Sequence, residues 1–199
     1  MGNDSSDSLP VAFQWVGLVF SVIGGVGVLL AFPTLLQLFF GGPRLIEEFE
    51  THDDEEGNRM LVVFIKNQPI DKPFGKLSLV KRDTIASFSA SFRILNLDIN
   101  SIVVQVHQAP IHSGDEDDDS LRKYRISLPP TISIGASICV ATWFAATGFP
   151  MIPPTRNKLP VPLVPANYQV QIIFAVDGRR HDVARNFVAG KTREELMWL

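Results

Sequence analysis

Asp115, Asp117 and Asp119 form a D-x-D-x-D run. Many calcium-binding loops open this way, because alternate carboxylates in a turning loop converge on one hard cation. The rest of that signature is missing: an EF-hand loop starting at Asp115 requires glycine at position 120 and glutamate at 126, where this chain has Ser120 and Ile126. A run of like charge in a loop is ordinarily solvated, so calcium stands as the alternative, with the cluster from Glu47 to Glu56 as a second source of ligands. Among the histidines, His107 and His112 flank an expected strand end, while His52 and His181 lie far away, and no pair has a metal-ligand spacing. His181-Asp182 has no G-x-S-x-G elbow or other framed nucleophile to serve. Cys139 is solitary, which excludes an intrachain disulfide framework and a cysteine-rich zinc site. No catalytic constellation is present, and neither a cofactor nor an enzymatic activity is expected.

The elements that carry these residues begin with an apolar run. Ser8 to Pro43, 36 residues, contain no Asp, Glu, Lys, Arg or His. The inner part, Val11 to Phe32, would span about 33 Å as a helix, matching the ~30 Å hydrocarbon layer of a bilayer. A cleaved signal peptide needs a basic leading segment and a shorter apolar core, whereas Met1 to Pro10 carries Asp4 and Asp7 and no Lys or Arg. The sequence therefore predicts one N-terminal transmembrane α-helix retained as an anchor. Gly24-Gly25-Val26-Gly27 falls inside it and is no phosphate loop. Gly17, Ser21 and Gly25 recur every four residues and place small side chains on one helix face, the geometry of close helix pairing in lipid. The expected organisation is a polar tail over 1–10, anchor and juxtamembrane segment over 11–43, and one domain over 44–199.

From Arg44 onward the hydrophobic period is two. Ala86, Phe88, Ala90, Phe92 and Ile94 alternate with Ser87, Ser89, Ser91 and Arg93, which predicts a half-buried strand. Ile102, Val104 and Val106 repeat the pattern, as do Tyr124, Ile126 and Leu128, then Ile132, Ile134, Ile138 and Val140. Met60 to Ile65 is apolar on both faces and reads as a central strand, with Leu77 and Leu79 marking another. Near the end, Tyr168, Val170, Ile172, Phe174 and Val176 share one face, Asp177-Gly178 supplies a tight turn, and Val183 to Val188 returns. Thr192-Arg193-Glu194-Glu195 fits a capping box leading either to a short helix or to a final edge strand. About eight or nine strands without a convincing soluble helix predict a mainly β, antiparallel β-sandwich.

Pro165-Ala166-Asn167-Tyr168 followed by alternation resembles the start of the penultimate strand in immunoglobulin-like and fibronectin type III-like domains. There a tyrosine at the sheet corner bonds back to the backbone. The resemblance implies an Ig-like sandwich with Tyr168 as its structural corner. It implies no activity, because such sandwiches host many unrelated roles. The tryptophan and paired cysteines of antibody-type domains are missing.

Charge narrows the function classes. A net charge of −3 argues against a general nucleic-acid binder. Of the 21 acids, 12 sit between Glu47 and Glu56 or between Asp115 and Asp119. Arg122, Lys123, Arg125, Arg179, Arg180 and Arg185 either face anionic lipid or neutralise those acidic segments. Arg44 and Arg59 follow the apolar run and no Lys or Arg precedes it, so the positive-inside rule places the C-terminal domain in the cytoplasm. The leading expectation is a single-pass, non-enzymatic module that binds a protein partner or self-associates within the lipid bilayer. A ligand- or metal-responsive sensory domain is the runner-up and an enzyme ranks third.

Overall fold

The structure, a computed structural model, describes residues 41–69, 81–113, 123–131, 135–154 and 159–199 together with Thr34 and Gln37. They fall into two units. In the unit formed by Met1–Gly42 and Ile70–Lys81, the Gln37 side chain pairs with a backbone: its Nε2 donates to the Lys81 carbonyl at 2.8 Å and its Oε1 accepts from the Lys81 amide at 3.0 Å. The Gly41 amide donates to the Gln37 carbonyl at 2.7 Å. Among the described residues no helix is long and apolar enough to cross a membrane. Val11 to Phe32, with Gly17, Ser21 and Gly25, lies outside the described residues.

The second unit, Pro43–Pro69 with Arg82–Leu199, is a two-sheet antiparallel β-sandwich. In chain order its described strands are β1 (Leu45–Asp53), β2 (Arg59–Asn67), β3 (Ile85–Asn96), β4 (Ser101–Val106), β5 (His112–Ser113), β6 (Ile126–Leu128), β7 (Ala136–Phe144), β8 (Phe149–Ile152), β9 (Val161–Pro162), β10 (Ala166–Val176), β11 (Arg179–Ala189) and β12 (Met197–Trp198). The first sheet runs β1-β2-β7-β8-β9, with β5 also on β7; the second runs β12-β11-β10-β3-β4, with β6 also on β3. Period-two alternation sends one side of each long strand into the shared core: Leu61, Val63 and Ile65 from β2, Ile138 and Val140 from β7, Phe88, Phe92 and Ile94 from β3, and Val170, Ile172 and Phe174 from β10. Phe88 stacks on Phe174 at 5.5 Å and Tyr168 on Phe187 at 5.3 Å. Burying each such ring removes apolar area worth about 1.5–3 kcal/mol from water.

Turn chemistry sets the register of the longest hairpin. Asp177 (φ 47°) and Gly178 (φ 79°) both sit in the left-handed region, as the two central residues of a type I′ turn require, and β10 then pairs β11 from Val176↔Arg179 to Ala166↔Ala189 without a shift. At the other end of β11, a Cβ on Gly190 would lie 2.1 Å from Glu195 Oε2. Glycine lets that carboxylate close over the backbone, where it accepts from the amides of Lys191 at 2.6 Å and Thr192 at 3.1 Å. The edge-strand reading of this segment holds: Met197–Trp198 pairs with β11, and the expected terminal helix through Leu199 is reduced to a single 3-10 turn, Arg193–Glu195.

Three expectations change. Ile102 is 53% exposed, because the β3–β4 register shifts between Ile94 and Leu95 and only Val104 and Val106 turn inward. Ala86 is exposed and Ile85 buried, because the β3–β6 pairing is irregular between Ile85 and Phe88. The described strands number twelve against the expected eight or nine, since β5, β9 and β12 are two-residue pairings too short to carry a period. Leu77, Leu79, Ile132 and Ile134 lie outside the described residues.

Candidate functional site

The face of the second sheet turned away from the core is built from the alternate residues of four strands. Register aligns them in rows: Ser89↔Ala175↔Arg180, Ser91↔Ile173↔Asp182 and Arg93↔Gln171↔Ala184 across β3, β10 and β11, with Gln105 of β4 beside Arg93. Small side chains at Ser89, Ser91, Ala175 and Ala184 leave a depression between taller neighbours. Two cavities of about 320 and 350 Å³ occupy it and share Ser91, His107 and Ile173, so they form one trough. Arg93, Gln171 and Arg180 rim the first, and Tyr124 and Arg125 the second.

One rim is a directed hydrogen-bond chain. Arg93 Nε donates to Gln171 Oε1 at 2.6 Å, Gln171 Nε2 to Gln169 Oε1 at 2.7 Å, and Gln169 Nε2 to Asn186 Oδ1 at 3.1 Å. Each amide accepts with its oxygen and passes on with its nitrogen, so the chain fixes the Arg93 head through Nε. On the opposite rim Arg180 Nε donates to Asp182 Oδ1 at 2.6 Å. That bond holds the Asp182 carboxyl below the usual carboxylate range and raises the Arg180 guanidinium. Among the described residues Asp182 is the one carboxylate lining either cavity, and its charge is met by Arg180. Among the described residues the lining of the trough is therefore polar and net-positive.

The other candidates fall elsewhere. Asp115, Asp117 and Asp119 lie outside the described residues, and among the described residues no group of three His, Cys, Asp or Glu is placed to hold a metal ion. The acids between Glu47 and Glu56 are used structurally along β1, where the two sheets meet. Glu47 lies 3.5 Å from His181, Asp53 lies 3.1 Å from Arg193, and Glu48 meets Lys66. Between them Phe49 packs edge-on against Trp198 at 5.1 Å beneath the Arg185 guanidinium, and Trp198 Nε1 donates to the Glu50 carbonyl at 2.9 Å. In the following turn, hydrogen bonds from Asn58 hold the Asp54 carboxyl low.

Tyr168 is 1% exposed, and its hydroxyl donates to the Val164 carbonyl, four residues upstream, at 2.7 Å. Burial raises its pKa against the opposing pull of that bond. Cys139 sits on the outward side of β7, its sulfur 3.2 Å from Thr142 Oγ1, and burial pushes the thiol up to about 11. A thiol so raised stays protonated at neutral pH.

Sequence reasoning missed Asn67 and the trough. Asn67 is fully buried and joins three segments: Oδ1 accepts from the Arg44 amide at 3.0 Å, and Nδ2 donates to the carbonyls of Asp83 at 2.8 Å and Leu128 at 3.2 Å. A polar residue ending an apolar strand was its only signal. The run of serines at 87, 89 and 91 opposite small and amide residues at 169–175 was the signal for the trough. No protein-family model matches this chain, and neither a curated protein nor a solved structure matches it.

Proposed function

We propose that this chain is a single-pass membrane-anchored binding module whose Ig-like sandwich offers the outer face of its second sheet to a protein partner on the cytoplasmic side. The trough carries this reading, because a concave, pre-ordered polar surface without catalytic groups is suited to recognition and not to chemistry. Strand order is compatible with the finer fold: β1-β2-β7 against β4-β3-β10-β11 follows the A-B-E and C′-C-F-G order of immunoglobulin-like sandwiches, with β8 and β9 added beyond β7. The uncharged run from Ser8 to Pro43 supports the anchor, with Gly17, Ser21 and Gly25 as its pairing face.

The test is extraction of the native full-length chain in mild detergent and identification of what travels with it. S91W places a large ring in the trough without touching the core, and it is expected to release the partner while leaving the sandwich folded. A partner retained at full yield by S91W would move the docking surface elsewhere. Carbonate extraction tests the anchor, since a chain released into the supernatant without processing would not be membrane-spanning.

A further inference from the structure

The rim of the trough is basic at three separated points. Arg180 and Ala175 share the Ser89 row, and Arg125, immediately before Ile126, lines the same cavity as Ser89 and Ala175. Arg125 and Arg180 thus close the two ends of one row, three strand spacings or about 14 Å apart. Arg93 lies on β3, two strand spacings across and four residues along from Arg180, which is about 16 Å. Arg93, Arg125, Arg180 and His107 are all exposed, and Arg93 and Arg180 each use only Nε in the bonds described above. A single small anion cannot reach charges so far apart. An extended chain can, since side chains on one face of a strand repeat every ~6.6 Å and residues four apart lie ~13 Å apart.

We infer that the trough takes an extended acidic segment of a partner protein, with carboxylates four residues apart bridging two of Arg93, Arg125 and Arg180 at a time while small side chains lie on the Ser89–Ala175 and Ser91–Ile173 floor. This rests on the trough being a protein-docking site. Bidentate guanidinium–carboxylate pairs give such a groove its selectivity, and the small floor residues let the partner backbone approach.

The experiment is fluorescence anisotropy with the full-length chain in mild detergent and a labelled peptide of alternating glutamate and serine. The glutamate peptide is expected to bind at about 50 mM salt and to weaken at least ~fivefold at about 300 mM, as screening shortens the reach of the exposed charges. The R93Q/R125Q/R180Q variant is expected to weaken binding at least ~tenfold with an unchanged thermal midpoint, and the glutamine counterpart peptide is expected not to bind. Equal binding of the glutamine peptide, or no binding of the glutamate peptide, would overturn acidic selection. Binding of phosphatidylserine vesicles that is lost in the triple variant, or displacement of the peptide by millimolar inorganic phosphate, would replace the acidic segment with a phosphate-bearing ligand. If S91W releases the native partner but the triple variant keeps it, protein docking survives and acidic selection falls. If S91W keeps it while the glutamate peptide still binds through the three arginines, the groove is acid-selective but is not where that partner docks.

Discussion

Asn67→Ala removes one side chain and leaves three backbone groups without their partner. The Leu128 carbonyl belongs to a fully buried residue, whereas the Arg44 amide and the Asp83 carbonyl sit on exposed residues that water can reach. An orphaned buried acceptor costs about 1–3 kcal/mol, and each partly exposed bond contributes about 0.5–1 kcal/mol net. The expected loss is therefore about 2–5 kcal/mol. Asn67→Asp keeps the acceptor for Arg44 but replaces two donated hydrogen bonds with a carboxylate facing two carbonyl oxygens, so it should be the more destabilising at pH 7. Urea unfolding of the full chain, followed by the fluorescence of Trp143 and Trp198, reads both changes as shifts in midpoint at constant slope. A loss below about 1 kcal/mol for Asn67→Ala, or N67D more stable than N67A, would refute the view that this amide clasps three segments.

Tyr168→Phe keeps the stack on Phe187 and loses the hydroxyl's bond to Val164 and its interaction with Asn96, so about 0.5–1.5 kcal/mol of destabilisation is expected in the same assay, and no change would remove the corner role of the hydroxyl. Gly190→Ala forces Glu195 off the Lys191 and Thr192 amides, with an expected cost of about 1–3 kcal/mol and faster proteolysis after Ala189. A neutral Gly190→Ala would show that the carboxylate moves freely. Cys139, held up to about 11, should react with a maleimide at pH 8 far more slowly folded than in urea. Because its folded value is raised, its share of stability is intact below the ordinary thiol range near 9 and is lost as pH rises toward about 11. C139S should flatten that alkaline decline, and an unchanged decline would assign it to other groups.

The long strands were legible because each buries one face: the alternation of Phe88, Ala90, Phe92 and Ile94, the two-faced apolar run of β2, and the Asp177-Gly178 turn all state their geometry locally. Bulges were not legible. Ile102 and Ala86 continue a perfect period in the sequence, but an extra residue in the pairing flips them outward, and only the partner strand determines where that happens. The two-residue strands carry no period at all. The trough was hidden for a different reason, since Arg93, Gln171 and Arg180 come onto one sheet face only after strands far apart in sequence are paired in register. The acidic cluster read as a solvated or ligand-holding run until β1 was placed beside β11 and β12, where Glu47 and Asp53 find His181 and Arg193.

The central claim is that the outer face of the second sheet is where a protein docks, and photo-crosslinking in native membranes tests it most directly. A photoreactive residue replacing Ser91, on the trough floor, is compared with one replacing Ser137, on the outward side of the first sheet. A discrete adduct from position 91 and none from 137 is expected, with the adduct lost when Arg93, Arg125 and Arg180 are changed to glutamine. An adduct from position 137 alone, or equal adducts from both faces, would contradict it.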